Sequence, residues 1–192
     1  MTREEQLRKL SRALDAQRLA HCIGVEAVAV RMAERFGVDP AKASQAGLLH
    51  DCAKNCSLEK MLELTKQYGE EPDDIMRTSR ALLHAPAGAA LARLAYGEED
   101  EAVLHAIRWH TTGCAQMNDL DKIIYLADMI EPGRKPYPGL EELRAQCMEN
   151  LDDAMRTALR QSQAYVQERN QQLHPDTQAA LDALTEHEEV NT

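Results

Sequence analysis

Six polar side chains interrupt stretches of this sequence that are otherwise apolar. They are His21, His50, Asp51, His84, His110 and Asp128. Asp128 lies within the apolar run 123–130, where an ionised carboxylate is costly unless a cation or several hydrogen-bond donors face it. Each histidine taken singly is more often a hydrogen-bonded core residue than a metal ligand. One metal centre, however, explains all six, whereas the alternative needs a separate structural reason for each.

The donor types indicate which metal would bind. Imidazole and carboxylate donors without a thiolate suit iron, manganese or a similar divalent ion better than a closed structural zinc site. The first ion would be held by His21, His50, Asp51 and Asp128. If Asp51 bridges, His84 and His110 hold a second ion about 3.5–4 Å away, and a water between the ions would lose its proton near neutral pH and attack phosphorus.

Helix start and stop signals recur along the whole chain and place these residues on five separate helices. Thr2 with Glu5 fits a capping box, and Gly37 followed by Pro40 fits the end of one helix and the start of the next. The other predicted helices run from Ser57 to Tyr68, from Pro86 to Gly97, from Asp119 to Glu131, from Glu149 to Asn170, and from Pro175 through a short last segment.

Length and composition agree with this helical interpretation. The 192 residues suit one domain, 1–192, in which residues 186–192 are predicted to be a frayed tail. Apolar residues make up 44% and charged residues 28%, as in soluble globular proteins, while one Phe and one Trp are few for a sheet protein. The sequence therefore predicts an all-α protein.

Charge and cysteine usage exclude several classes of partner. A net charge of −10 works against extended nucleic acid but leaves room for a small phosphorylated ligand held by a few local cations. A charged N-terminus and the lack of a long apolar run predict a cytoplasmic protein without a membrane partner. Five cysteines without a Cys-x-x-Cys pair argue against a disulfide framework, and a thiolate ligand from Cys52 or Cys56 is disfavoured.

The order of the six residues resembles the extended signature of HD-domain phosphohydrolases. The sequence around these residues is similar to the YqeK branch of that family, over about residues 4–176. The matching motifs are His50-Asp-Cys-Ala-Lys54, His84-Ala-Pro-Ala-Gly88, Trp109-His-Thr-Thr-Gly113 and Tyr125-Leu-Ala-Asp-Met-Ile-Glu-Pro132. One departure is Cys52, where the family often carries a larger residue.

This resemblance implies an HD-domain helical bundle that hydrolyses diadenosine tetraphosphate symmetrically to two ADP molecules, with iron as the metal and manganese or another divalent ion as a substitute. Asp51 and Lys54 are then the expected catalytic residues, and a dinucleoside polyphosphate or ADP is the expected ligand. The positions expected to contact substrate are Arg18, Lys54, His84, His110 and Arg134, together with Asn170 and His174 in a segment, 170–176, that would close over the nucleotide.

The residues themselves support these cations unequally. Lys54 follows Asp51 by three positions, on nearly the same helix face, although a surface lysine is an equal alternative. Arg134 lies in the loop of Pro and Gly after the Asp128 helix, from which its guanidinium could grip a phosphate with two hydrogen bonds. Arg18 precedes His21 by three positions, where an ion pair within the helix explains it equally well.

Two other functions stay open at this point. An HD-domain nucleotidase or phosphodiesterase would use the same metal chemistry on other nucleotides, and an HD module could serve regulation without catalysis.

His105, five residues before His110, is predicted to lie on another face and outside the site. The sequence also leaves the oligomeric state open, a homodimer included.

Overall fold

The computed structural model describes the backbone of residues 1–190 and the side chains of residues 1–185. Within this part the chain forms eleven helices and no strand, which confirms the predicted all-α class. The helices are α1 Arg3–Ala13, α2 Ala16–Phe36, α3 Pro40–Leu49, α4 Leu58–Gln67, α5 Asp74–Thr78, α6 Arg80–Tyr96, α7 Glu101–Trp109, α8 Asp119–Ile130, α9 Leu140–Gln146, α10 Leu151–Glu168 and α11 Pro175–Val190.

Most helix ends follow the signals in the sequence. The Thr2 hydroxyl and the Glu5 carboxylate form the predicted capping box at the start of α1. Gly37 ends α2 with a φ of 72°, a left-handed conformation that favours glycine, and Pro40 occupies the first turn of α3. Ser57 caps α4 as predicted.

The sequence predicted a helix from Pro86 to Gly97, and the predicted start of this helix is wrong. Helix α6 begins at Arg80, so that Pro86 lies in its interior and supplies no amide hydrogen there. The guanidinium of Arg80 donates from Nη2 to the carbonyl of Cys56 at 2.9 Å, which fixes this earlier start. Pro86 itself is buried among alanines, and packing outweighs its poor helix propensity.

Several boundaries escaped the sequence interpretation. The Asp15 side chain caps α2 by accepting a hydrogen bond from the backbone amide of Arg18. This cap divides the first helical stretch into α1 and α2. The start and stop signals did not predict α5, α7 or α9, and α11 is longer than expected, with sixteen residues. A single domain over 1–192 stays a prediction, and the frayed tail over 186–192 lies outside the residues whose side chains are described.

The core sits where α2, α3, α7 and α8 pack together. Helix α2 buries Cys22, Val25, Ala29 and Met32 at intervals of three and four residues, which gives one apolar face. Its backbone approaches α3 so closely at Gly47 that an added Cβ would lie 2.8 Å from the Cα atom of Glu26. This close crossing brings the N-terminal half of α2 beside the end of α3.

A second, smaller apolar cluster lies under α4, α5 and α6. Its buried members are Ala53, Met61, Leu64, Met76, Leu83, Ala87 and Ala90. Because α6 contributes three of these residues, this cluster fixes the face of α6 on which His84 lies. No described helix is long and apolar enough to cross a membrane.

Candidate metal centre

Five helices converge so that the six predicted side chains meet at one place. His21 comes from α2, His84 from within α6 and Asp128 from α8. His50 and His110 stand directly after the last residues of α3 and α7. The apolar context of these residues in the sequence predicted that they would converge. The convergence brings six candidate metal ligands together.

The first group of donor atoms surrounds the Nε2 atom of His21. Asp128 Oδ1 lies 2.9 Å from this nitrogen, and His50 Nε2 lies 3.3 Å from it. Asp51 Oδ2 is 3.8 Å from His21 Nε2 and 3.6 Å from His50 Nε2. These four side chains are the ones that the sequence assigned to a first ion.

The second group contains the remaining two histidines. His84 Nε2 and His110 Nε2 lie 3.0 Å apart. Asp51 Oδ1 is 3.1 Å from the first of these nitrogens and 3.7 Å from the second. The three side chains form a compact set of donors for a second ion.

Asp51 therefore faces both groups, one oxygen to each. Its side chain is buried, and Oδ1 makes no well-aligned hydrogen bond, although Lys54 Nζ lies 3.3 Å away. A buried carboxylate oxygen without a hydrogen bond is unfavourable unless a cation takes its lone pair. This atom, set among imidazole nitrogens, fits a bridging ligand between two ions.

Three of the imidazole rings are turned so that Nε2 is free to bind a cation. His50 Nδ1 donates to the carbonyl oxygen of Gly47 at 2.8 Å, and His110 Nδ1 donates to that of Ile107 at 2.7 Å. His21 Nδ1 lies 3.0 Å from Glu131 Oε1. Because the two carbonyl oxygens can only accept, Nδ1 of His50 and of His110 carries the proton and Nε2 keeps a lone pair when the ring is neutral. His21 lies between two carboxylates, with Asp128 Oδ1 2.9 Å from Nε2, so a cation at Nε2 would leave the ring proton on Nδ1 beside Glu131.

The protonation states of the aspartates suit cation binding. Burial alone would raise the pKa of Asp51, but the imidazoles around it and the Lys54 ammonium outweigh burial and hold that pKa well below its usual range. Burial likewise opposes the charged form of Asp128, yet Arg134 and His21 keep the pKa of this carboxyl well below its ordinary value. Both groups are therefore ionised.

Two of the histidines are held neutral. Burial lowers the pKa of His50 to about 3. Burial together with the nearby charge of Lys54 lowers the pKa of His84 to about 4. For His21 burial acts in the same direction, but Asp128 and Glu131 raise its pKa overall.

Three cations surround the acidic centre. Arg18 Nη1 lies 2.7 Å from Asp51 Oδ2, so Arg18 forms an ion pair from α2 to the turn after α3 rather than the intrahelical pair that the sequence left open. Lys54 Nζ lies 2.9 Å from His84 Nε2, and the Arg134 guanidinium pairs with the Asp128 carboxylate. Their side chains are 31%, 30% and 35% exposed, respectively, which leaves each of them accessible to a ligand.

The local structure around Lys54 differs from the sequence interpretation. Residues 50–56 form consecutive tight turns rather than a helix, with amide-to-carbonyl bonds such as that from Lys54 to Asp51 at 2.9 Å. Residues three apart eclipse one another in such turns. Lys54 therefore still lies over Asp51, for a different geometric reason.

Two predicted substrate contacts lie apart from this centre. His174 Nε2 is 2.7 Å from Asp73 Oδ2, which links the start of α11 to the start of α5. Asn170 follows α10 with a φ of 52°. Among the described residues, no hydrogen bond or ion pair joins either one to the six candidate ligands. Their roles at the nucleotide stay predictions.

Other polar residues take structural roles. His105 Nδ1 lies 2.9 Å from Asp121 Oδ1, as expected for a histidine outside the site. The Cys52 thiol donates to the carbonyl of Gly88, and burial raises its pKa well above the ordinary value, which argues against a thiolate ligand.

Glu131 and Thr111 are site residues that sequence reasoning missed. Glu131 follows Asp128 by three positions, and this spacing on one helix was the available signal. Thr111 Oγ1 lies 3.2 Å from His84 Nε2. The threonine follows His110 directly, but nothing in its own context marks it.

Comparison with known proteins agrees with this geometry. Residues 18–133 match the HD domain family. A protein of Halalkalibacterium halodurans named "Bis(5'-nucleosyl)-tetraphosphatase, symmetrical" is 39% identical over 184 residues, covering 96% of this chain and 97% of that protein. A Bacillus subtilis protein of the same name is 37% identical over 177 residues, covering 92% of this chain and 94% of that protein.

A solved structure is similar along nearly the whole chain. It is the crystal structure of a predicted HD superfamily hydrolase involved in NAD metabolism from Clostridium acetobutylicum, 38% identical, with a TM-score of 0.94. The match covers 97% of this chain and 98% of that one. This chain belongs to the HD domain family of metal-dependent phosphohydrolases, in the branch of the symmetrical bis(5'-nucleosyl)-tetraphosphatases. It is therefore a hydrolase, and the non-catalytic module considered above is set aside.

Proposed function

We propose that this chain hydrolyses diadenosine tetraphosphate to two ADP molecules, at a centre that holds two iron ions. The observation that carries the proposal is the Asp51 carboxylate, whose two oxygens face two separate histidine pairs. The names of the relatives from Halalkalibacterium halodurans and Bacillus subtilis support the choice of substrate.

The side chains fit divalent ions by the test of their own chemistry. Asp51 Oδ1 is buried without a hydrogen bond, and the imidazole Nε2 atoms of His84 and His110 lie 3.0 Å apart. Four nitrogens and two carboxylates without a thiolate suit iron, with manganese as a substitute. When bound, such ions supply Lewis acidity toward a water molecule and toward phosphate oxygens.

The three cations would act on the substrate. Arg18, Lys54 and Arg134 each contact a candidate ligand, and the side chain of each is partly exposed. Phosphate oxygens accept charge-assisted hydrogen bonds from guanidinium and ammonium groups. These residues would hold the polyphosphate and neutralise the charge that develops on its oxygens as the anhydride bond breaks.

The surroundings of the protein are also part of the proposal. All five cysteines are free thiols, which suits a reducing compartment such as the cytoplasm. A net charge of −10 supports a small ligand rather than nucleic acid. A homodimer stays a prediction.

The experiment is a product assay on the full chain. The protein is freed of metal, reloaded with Fe²⁺ or Mn²⁺, and incubated with diadenosine tetraphosphate, AMP, cyclic AMP and NAD⁺. We expect ADP as the sole product of the tetraphosphate. AMP and ATP in equal amounts would show cleavage at another anhydride bond, and turnover of the other nucleotides alone would favour the nucleotidase or phosphodiesterase.

A further inference from the structure

A buried carboxylate stands behind the ring of His21, on the side away from the other candidate ligands. Glu131 follows the last residue of α8, is 4% exposed, and places Oε1 3.0 Å from His21 Nδ1. On the opposite side of the ring, Asp128 Oδ1 lies 2.9 Å from Nε2. Two acids of one helix end, three residues apart, thus hold the two nitrogens of one imidazole.

We infer that Glu131 is a positioning residue, which fixes the proton of His21 on Nδ1 and aims the Nε2 lone pair at the first ion. This inference rests on the proposed metal centre. A neutral imidazole interconverts between two tautomers, and only the one with its proton on Nδ1 presents Nε2 to a cation. A carboxylate that accepts from Nδ1 selects this tautomer and increases the basicity of the ring.

The surroundings hold the Glu131 carboxylate in this place. Glu131 Oε2 accepts a hydrogen bond from the backbone amide of Gly133. The guanidinium of Arg144 donates from Nη2 to the backbone carbonyl oxygen of Glu131 at 3.0 Å. In the described part of the chain, His21 is the only ion-pair partner of this carboxylate. Glu131 is therefore fixed by the loop and directed at one imidazole.

Glycines leave the space that the carboxylate occupies. A Cβ added at Gly24 would lie 2.8 Å from Glu131 Oε2, and one added at Gly133 would lie 3.0 Å from the same atom. Gly24 is inside α2, one turn after His21, where alanine is intrinsically the better helix former. The absence of a side chain at Gly24 leaves the room that the Glu131 side chain occupies.

Gly24→Ala consequently separates the two roles that Glu131 could have. The new methyl group would push the flexible end of the Glu131 side chain away from His21, while the helix itself gains propensity. A purely structural role predicts that ion affinity follows thermal stability among the variants. A positioning role predicts that ion affinity falls in Gly24→Ala without a matching loss of Tm.

The test compares full-length variants freed of metal and titrated with Mn²⁺ by calorimetry. For Glu131→Ala we expect Mn²⁺ affinity at the first site to fall by about 10- to 100-fold, the usual effect of removing a partner behind a ligating histidine. Glu131→Gln should fall by less, because its amide oxygen can still accept from His21 while its NH₂ group opposes the Gly133 amide.

A matched control is Glu26→Gln. Glu26 is a carboxylate of similar burial on the same helix as His21, but it pairs with Arg3 at 2.7 Å. This variant should lose thermal stability and keep its Mn²⁺ affinity. The ¹⁵N shifts of the His21 ring, recorded on the metal-free protein at a pH where the ring is neutral, give a second measurement. Because Asp128 Oδ1 lies 2.9 Å from Nε2, Glu131→Ala should shift the ring toward the Nε2-protonated tautomer relative to wild type.

The outcomes separate this inference from the proposed function. Wild-type Mn²⁺ affinity and an unchanged His21 tautomer in Glu131→Ala would overturn the positioning role, even if the chain cleaves diadenosine tetraphosphate. Reduced Mn²⁺ affinity in Glu131→Ala and Gly24→Ala, together with a wild-type protein that leaves the tetraphosphate intact, would support the positioning role and refute the proposed substrate. A wild-type protein that binds neither Mn²⁺ nor Fe²⁺ would overturn both.

Discussion

The guanidinium of Arg18 and the carboxylate of Asp51 form an ion pair between α2 and the turn after α3, with Nη1 2.7 Å from Oδ2. The contact is on the side of Asp51 that faces His21 and His50, which leaves Oδ1 directed at His84. The pair thus supports the orientation in which the carboxylate divides its oxygens between two groups of imidazoles. It also places a cation beside the expected position of the first ion.

Asp51→Ala should abolish the activity and release metal from both groups. Removing a residue that hydrogen-bonds to a metal ligand costs about 10- to 100-fold in metal affinity or activity. Removing a ligand that both ions share should therefore cost more than about 100-fold. Elemental analysis and the ADP assay check this. His110→Ala is the comparison, since it should reduce bound metal mainly at the second group. Full metal content in Asp51→Ala would contradict the bridge.

Arg134→Ala should weaken substrate binding and leave the metal content largely intact. A charge-assisted hydrogen bond contributes about 1.5–3 kcal/mol, which predicts a loss of about 10- to 100-fold in kcat/KM. Arg134→Lys should recover part of this loss, because it keeps the charge but not the two-pronged guanidinium. Lys135→Ala, at the exposed neighbouring position, is the control. Unchanged kinetics in Arg134→Ala would remove this residue from the site.

The pair of His105 and Asp121 should make stability depend on pH. The hydrogen bond to Asp121 raises the pKa of His105 above its ordinary value of 6.5, although burial partly opposes the shift. A raised folded-state pKa gives stability that is complete below the unfolded-state pKa and is lost as pH rises through the folded-state value. Urea unfolding of the wild-type protein and His105→Gln should therefore differ most below pH 6.5 and converge in weakly alkaline solution. A difference that grows with pH would contradict this assignment.

Gly47→Ala should destabilise the fold by about 1–3 kcal/mol, the usual cost of overpacking. An added Cβ would lie 2.8 Å from Glu26 Cα and 3.1 Å from its amide nitrogen, and backbone atoms in a packed helix cannot easily move away. The expected fall in Tm is about 2–4 °C for each kcal/mol in a chain of this size. Gly24→Ala is the comparison, because its close neighbour is the flexible end of a side chain. Equal Tm values for wild type and Gly47→Ala would refute the close crossing.

The six candidate ligands could be predicted because each one is polar in an apolar context. A helix start at Pro86 was wrong since the local preference of proline gave way to the burial of α6, which no local pattern reports. Glu131 was missed because its place behind His21 depends on how the loop after α8 folds back against α2. The direction in which each oxygen of Asp51 points is likewise set by four helices together.

The double duty of Asp51 limits how this centre can change. A substitution of His84 or His110 removes ligands from one group and leaves the other complete, whereas any change at position 51 affects both groups at once. If both groups hold ions, a variant of this chain that works with a single ion would lack one histidine pair and would still carry aspartate at position 51.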